Sequence, residues 1–404
     1  MTAQMPAQIP AQMPAPTSPG TSDLRGKRVV VANWRDLDHS MAGGAETYAW
    51  ELARGLVEAG ARVEFLTARE PGARRTEVRD GIRIVRRGGQ LTYYVLAALW
   101  MLLRRRSLDL VVDMEAGIPQ FSPLVVDRRR TGVLLVVHHV HLDQFGTYFP
   151  APVAAIGRLL EGTVMPRVYH GVTTVAVSDS TRRDMIERLG WAGPIELLHN
   201  GNATPTPVRV APEDTVDRLV VLGRLAPHKR VDLVIRAVAA LQDVRPGLHV
   251  DIVGKGPDRE RLERLVAELD VEKHVTFRGF VTEDEKGLLL AHARLHVCAS
   301  DVEGWGQVVC EAAAYGVPTV ARDVAGLRDS VRHQSTGWLL AESGDLAAAQ
   351  ARLLVGIQNA LDELADDERR DEIAAACTQW AAHYDWNSMR TGAVALAELT
   401  MKGA

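Results

Sequence analysis

Leu219-Val220-Val221-Leu222-Gly223-Arg224-Leu225-Ala226-Pro227-His228-Lys229-Arg230-Val231 decides the fold. A short apolar run, a loop opened by glycine, and an amphipathic stretch from Val231 to Leu241 read as strand, loop and helix. Downstream the alternation continues through Val250 to Val253, a helix from Asp258 to Leu269, and Val275 to Phe277. It then runs through a helix from Asp284 to Ala291, Leu295 to Ala299, and Thr319-Val320-Ala321. Upstream it begins with Val29-Val30-Val31, a helix from about Ala45 to Ala59 closed by Gly60, and Val63-Glu64-Phe65-Leu66. Leu108 to Val112, Val133 to Val137 and Thr173 to Val177 are further buried strands. Strands without a polar face that alternate with helices belong to parallel sheets covered on both sides. Gly201 to Asp217 is rich in Pro and Thr, lacks a hydrophobic period, and separates the two arrays as a linker. The expected fold is α/β: two doubly wound Rossmann-like domains, over 26–205 and 206–379, with terminal helices over Trp380 to Met401. Ligands of such sheets bind beyond the carboxyl ends of the strands, so the cleft between the domains is the expected site.

Composition narrows the class. The chain is 47% apolar and 24% charged, an ordinary globular balance, and its net charge of −4 gives no basic footprint for nucleic acid. Cys298, Cys310 and Cys377 are too scattered for a disulfide framework or a zinc ribbon, and a reducing cytoplasm is the expected home. Residues 1–22 repeat Met, Pro, Ala and Gln without a basic start or a continuous apolar core. They read as part of a disordered tail over 1–25 rather than a signal peptide. The longest apolar run, Leu91 to Leu103, has thirteen residues, short of the roughly 20 that span a bilayer. It ends in Arg104-Arg105-Arg106, so it reads either as a buried helix with a solvated basic end or as a peripheral anchor on an anionic membrane.

The chemistry concentrates in a few segments. In Glu303-Gly304-Trp305-Gly306-Gln307-Val308-Val309-Cys310-Glu311, a glycine turn leads into a helix from Val308 to Tyr315. Its free amides suit an anion, with Glu303 before the helix and Glu311 inside it. Arg224 and Lys229, five residues apart at a strand's carboxyl end, suit a diphosphate. Arg230 is read as pointing outward. Gly43-Gly44-Ala45-Glu46 permits close backbone approach, and a tight loop-to-helix entry explains it equally. Val253-Gly254-Lys255-Gly256-Pro257 argues only for a tight turn, and Asn200-Gly201 is first a turn signal. Val137-His138-His139-Val140-His141 places three histidines after a buried strand. With no nearby Cys and no close carboxylate pair, a metal is not expected there; substrate contact and structural hydrogen bonding both stay open.

Together these segments resemble the retaining glycosyltransferases of family 4, which have the GT-B fold. The matching elements include Gly43 to Glu46, Val177-Ser178-Asp179-Ser180, His199-Asn200-Gly201, Gly223-Arg224-Leu225 with Lys229, and Val253 to Pro257. Gly279-Phe280-Val281, Glu303 to Glu311, Gly316-Val317-Pro318, Ala325 to Asp329 and the closing Asp385-Trp386 helix complete the series. The resemblance covers about residues 27 to 400 and is strongest from 219 to 340. It implies a donor-binding second domain, an acceptor-side first domain, and a closing helix over 380–404 that packs back toward the first domain.

The resemblance further implies a nucleotide-diphosphate-sugar donor as co-substrate and no other cofactor. Arg224 and Lys229 would clamp the diphosphate, Glu311 the ribose, and Glu303 would lie beside the donor sugar. Gly306, Gln307 and Val308 would supply donor-binding amides, and Gly44 would approach from the first domain. His138 would be the active-site histidine, with His139 a rival. The implied reaction is a metal-independent, front-face hexosyl transfer with retention. Arg35 and Asp36, with His139, His141, Glu115 to Phe121 and Asp143-Gln144-Phe145, would shape the acceptor side. The acceptor class stays open among sugars, lipid-linked sugars and natural products. A non-catalytic sugar-nucleotide-binding subunit on the same scaffold is the alternative.

Overall fold

The computed structural model describes residues 23–90, 92–115, 117–205 and 217–403. The Pro-rich segment 1–22, the first residue of the Leu91 run, Ala116, linker residues 206–216 and the terminal Ala404 lie outside the described residues.

The first sheet comprises β1 (Arg28–Ala32), β2 (Arg62–Thr67), β3 (Thr76–Arg79), β4 (Ile82–Arg86), β5 (Leu110–Glu115), β6 (Gly132–Val137), β7 (Thr173–Ala176) and β8 (Ile195–Leu197). Its order is β3-β4-β2-β1-β5-β6-β7-β8, parallel except for the β3–β4 pair. The second comprises β9 (Arg218–Leu222), β10 (His249–Val253), β11 (Val275–Gly279), β12 (Leu295–Cys298), β13 (Thr319–Arg322) and β14 (Gly337–Leu340). Its order is β11-β10-β9-β12-β13-β14, parallel throughout. Chain direction across each sheet reverses at one point, beside β1 and β5 in the first and beside β9 and β12 in the second. These are the switch points where such sheets bind ligands.

Register explains the two-sided burial. Val29 and Val31 pair with Val63 and Phe65 on one side and with Leu110 and Val112 on the other. That face packs on the helix Gly44–Glu58 through Tyr48, Leu52 and Leu56. Val30, Ala32, Leu66 and Val111 form the opposite face, under the helix Tyr93–Arg104. The last helix, Trp386–Lys402, returns to the first sheet and buries Met389, Ala393 and Ala397 in that first core. Arg390 pairs with Glu51, and a Cβ on Gly55 would stand 2.7 Å from the Arg390 Cβ. Gly55 thus lets the two helices approach.

The strands β3, β4 and β14 lie outside the sequence expectation. β3 and β4 form a hairpin across Asp80-Gly81, both at positive φ (51° and 77°), the signature of a type I′ turn. The Thr-Glu-Val-Arg run of β3 is too polar and too short to show in a hydrophobic pattern.

Candidate active site

Loops beyond the strand ends enclose a cavity of about 720 Å³ between the two sheets. His139, Asp143 and Gln144 face it from the first sheet, and His228, Arg230, Asp301 and Glu303 from the second.

Glu303 follows β12, and its Oε1 accepts from Lys229 Nζ and, at 2.8 Å, from Ser300 Oγ. Burial pushes this carboxyl up, but the Lys229 ammonium outweighs burial and holds it below the usual carboxylate range. The Gln307–Ala314 helix starts four residues on, with Gly306 at its N-cap at φ 82°, a left-handed conformation that favours glycine. The Gln307 and Val308 amides stand at the free end of this helix, where donors point outward. Gly44 opposes them directly: a Cβ there would stand 3.6 Å from the Gln307 Cβ. Gln307 Nε2 donates to the Gly201 carbonyl at 2.8 Å and to Asn202 Oδ1 at 3.0 Å, tying the helix start to the first sheet's exit. The structure therefore brings Lys229 to Glu303 and Gly44 to Gln307, and of these four Glu303 lines the cavity itself.

Arg224 is half-buried on the loop after β9, braced by the Gly254-Lys255-Gly256 turn. Leu225 N donates to the Lys255 carbonyl at 2.9 Å, and any Cβ on Gly254 or Gly256 would run into the Gly223 or Leu225 backbone. The tight turn expected there thus supports the basic loop. Arg230 differs from expectation. It lines the cavity and donates to Asp232 at 3.0 Å instead of pointing outward. Glu311 meets Lys286 Nζ at 3.0 Å. Lys286 was missed because nothing in the sequence links the Glu283–Ala291 helix to Glu311.

The histidines separate into three roles. His138 is buried, its ring edge-on to Tyr48 at 5.1 Å, and its carbonyl accepts from Thr181 Oγ1 at 2.9 Å. Burial pushes its imidazole down to about 3, so it is neutral. His139 is the one that lines the cavity, and burial holds it well below the usual histidine range. His141 turns away toward Glu115 and Glu161, its Nδ1 at 3.2 and 3.4 Å from their Oε1 atoms. Burial alone would lower its pKa, but these two carboxylates outweigh burial and push it up to about 10. The sequence expectation of no carboxylate pair beside the histidines is corrected here. Glu115 comes from the end of β5 and Glu161 from a π-helical turn, Leu160–Val164, neither adjacent in sequence. Arg35 lies over the Trp34 ring at 4.6 Å and donates to Glu46 at 2.7 Å. Asp36, expected on the acceptor side, is instead committed to a buried pair with Arg86 at 2.5 Å.

Residues 42–204 match the family model described as Glycosyltransferase Family 4, and residues 207–371 match the one described as Glycosyl transferases group 1. A GDP-mannose-dependent alpha-(1-6)-phosphatidylinositol monomannoside mannosyltransferase of Mycobacterium tuberculosis is 30% identical over 383 residues, covering 86% of this chain and 92% of the relative. The chain belongs to glycosyltransferase family 4. This family-4 enzyme is also 27% identical over 259 residues to a Mycobacterium tuberculosis glycogen synthase, covering 63% of the chain and 61% of that relative. Among solved structures, sucrose-phosphate synthase from Thermosynechococcus elongatus superposes with a TM-score of 0.77 at 19% identity, over 94% of this chain and 100% of that one. Anabaena HepE in complex with UDP-glucose gives 0.66 at 17% identity, over 91% and 98%. These likenesses establish the GT-B fold for the family-4 enzyme. It is a glycosyltransferase of a retaining hexosyltransferase family that uses nucleotide-sugar donors.

Proposed function

We propose that the enzyme moves a hexosyl residue, with retention, from a nucleotide-diphosphate sugar to a hydroxyl of a lipid-linked acceptor at the inner membrane face. The observation that carries this reading is the Lys229–Glu303 pair at the cleft, on the loop that leads into the Gln307 helix start, which Gly44 faces. A diphosphate placed there meets a cation, helix amides and a loop without Cβ. Arg224 and Lys229 take up the charge that develops as the nucleoside diphosphate leaves, with no metal ion on the phosphates. Glu303 already accepts from Lys229 and Ser300 through Oε1, which suits gripping sugar hydroxyls through Oε2 rather than attacking carbon. In the front-face reaction the acceptor oxygen bonds to C1 on the side from which the diphosphate departs. The C1–phosphate oxygen bond breaks, and the acceptor proton passes to that leaving oxygen. Positioning and leaving-group electrostatics carry the rate.

The mannosyltransferase relative makes GDP-mannose the first donor to test and supports a glycolipid acceptor. The membrane reading is supported by the helix Tyr93–Arg104, which exposes Val95, Leu99 and Leu103 at four-residue spacing beside Arg104, Arg105 and Arg106. No helix among the described residues is long and apolar enough to cross a membrane. A panel of nucleotide sugars with glycolipid vesicles, scored by diphosphate release and by NMR of the new anomeric centre, tests the proposal. Inverted product, or binding without turnover across the panel, overturns it.

A further inference from the structure

Glu115, His141 and Glu161 each bring a metal-ligating atom, and these atoms lie within 4.8 Å of one another. Three separate elements supply them: the end of β5, the loop after β6, and the π-helical turn Leu160–Val164. π-turns occur mostly as single-turn inserts in α-helices, frequently at functional sites. Both carboxylates are fully buried. Glu115 Oε1 accepts from Gly117 N at 2.9 Å, and Glu161 Oε1 accepts from His141 N at 2.5 Å. The remaining atoms of the cluster, Glu115 Oε2, Glu161 Oε2 and His141 Nδ1, are buried with no hydrogen-bond partner.

Two explanations compete for this arrangement. In the first, a protonated His141 bridges the carboxylates. Its Nδ1 approaches both Oε1 atoms at 3.2 and 3.4 Å but is directed at neither well enough for a hydrogen bond, and both Oε2 atoms stay unsatisfied. With both carboxylates ionised, one imidazolium would leave a net negative charge in the interior, and burial accordingly pushes the Glu161 carboxyl up. In the second, one divalent cation accepts a lone pair from each of the three atoms and neutralises both carboxylates. That accounts for all three orphaned atoms at once.

We propose that Glu115, His141 and Glu161 bind a divalent cation of the Zn²⁺, Mn²⁺ or Co²⁺ class. Two carboxylates and an imidazole, without thiolate, fit these hard-to-borderline ions. The cation braces the acceptor wall: the His141 ring lies 3.8 Å from the His139 ring, which faces the cleft. It takes no part in diphosphate departure, so the inference stands apart from the donor-site reading.

The test uses the full-length, tag-free enzyme without sugar nucleotide. After chelation it is dialysed against micromolar Zn²⁺, Mn²⁺ or Co²⁺ and analysed for bound metal, with Co²⁺ ligand-field absorption as a second readout. About one ion per chain and a Tm that falls on chelation are expected. Glu115→Gln and Glu161→Gln, checked for folding by circular dichroism, should weaken binding by more than the roughly 10- to 100-fold that loss of an outer-shell partner costs. Absence of bound ion in the wild type, with a Tm indifferent to metal and chelator, overturns the proposal in favour of the bridging imidazolium. Full uptake by a folded Glu161→Gln variant overturns it as well. If both Gln variants fail to fold, the wild-type stoichiometry and the loss of the Co²⁺ spectrum in His141→Gln decide the question.

Discussion

The two walls of the cleft are built in opposite ways. On the second sheet the charged groups come from short loops directly after strands: Arg224 to Arg230 follow β9, and Ser300 to Gln307 follow β12. On the first sheet the histidine loop depends on partners far away, with Glu115 26 residues before His141 and Glu161 20 residues after it. The second sheet's charged groups thus sit on short loops at strand ends, and the Lys229–Glu303 pair joins two such loops 74 residues apart. The facing wall, proposed to shape the acceptor side, instead takes its buried partners from a strand end and a π-helical turn.

The largest loss of activity is expected at the second sheet's wall. Lys229→Ala and Glu303→Ala should each lower kcat about 10²- to 10³-fold, the scale for removing one preorganised charge-stabilising group. Diphosphate release measures it, with circular dichroism confirming the fold. Near-full turnover in both variants would remove the Lys229–Glu303 pair from the mechanism.

Legibility followed the same divide. Glycines, basic residues and paired acids lie within a few positions of one another in the second array, so Lys229 and Glu303 stand out from spacing, while Gln307 enters only through the family resemblance. The alternation of apolar runs and helices placed most strands of both sheets, because parallel strands buried on two faces have no polar residues to obscure them. β3 escaped because it is a polar edge strand, although Asp80-Gly81 carried the turn signal for its hairpin. Lys286 and Glu161 escaped for a different reason: each acts through tertiary packing onto a residue of another element. Asp36 looked like a cleft residue from its loop position, and only the fold reveals Arg86 beside it, 50 residues on.

Next in size is the first domain's surface. The triple variant Arg104→Gln, Arg105→Gln, Arg106→Gln should weaken low-salt co-sedimentation with anionic vesicles about 10²-fold, from about 1 kcal/mol per basic residue near the surface. Soluble-acceptor turnover should not change. Since Arg104 lies over the Trp100 ring at 4.2 Å, the two outer arginines should carry more of the effect. Equal sedimentation of both proteins would leave the three arginines without a membrane role. A smaller effect belongs to Lys286→Ala, which frees the Glu311 carboxylate from its partner. The donor KM should rise about tenfold, as loss of one charge-assisted contact would give, while kcat stays within a few-fold. A drop in kcat with unchanged KM would place Glu311 at the reacting end instead of the ribose.

The smallest effect compares the two halves through buried neutral histidines. His138 sits on the first sheet's wall and His296 in the second sheet's core, where its Nδ1 meets Thr319 Oγ1 at 3.0 Å. Burial pushes each down to about 3, below the ordinary value of 6.5. A histidine depressed in the folded state takes up its proton more readily in the unfolded chain, so acid favours unfolding. Stability from these two groups is therefore complete above pH 6.5 and falls as pH drops toward 3. Each group contributes a slope of about 1.4 kcal/mol per pH unit inside that window. His296→Gln keeps a polar side chain beside Thr319 and removes the titration, so its acid limb in denaturant melts should be flatter by one such slope. His138→Gln should flatten the limb by the same amount and also slow turnover, because it removes the ring that packs edge-on to Tyr48 next to His139. If both variants flatten the limb but neither slows turnover, His138 is a packing residue like His296, and His139, which lines the cavity, becomes the histidine to substitute next.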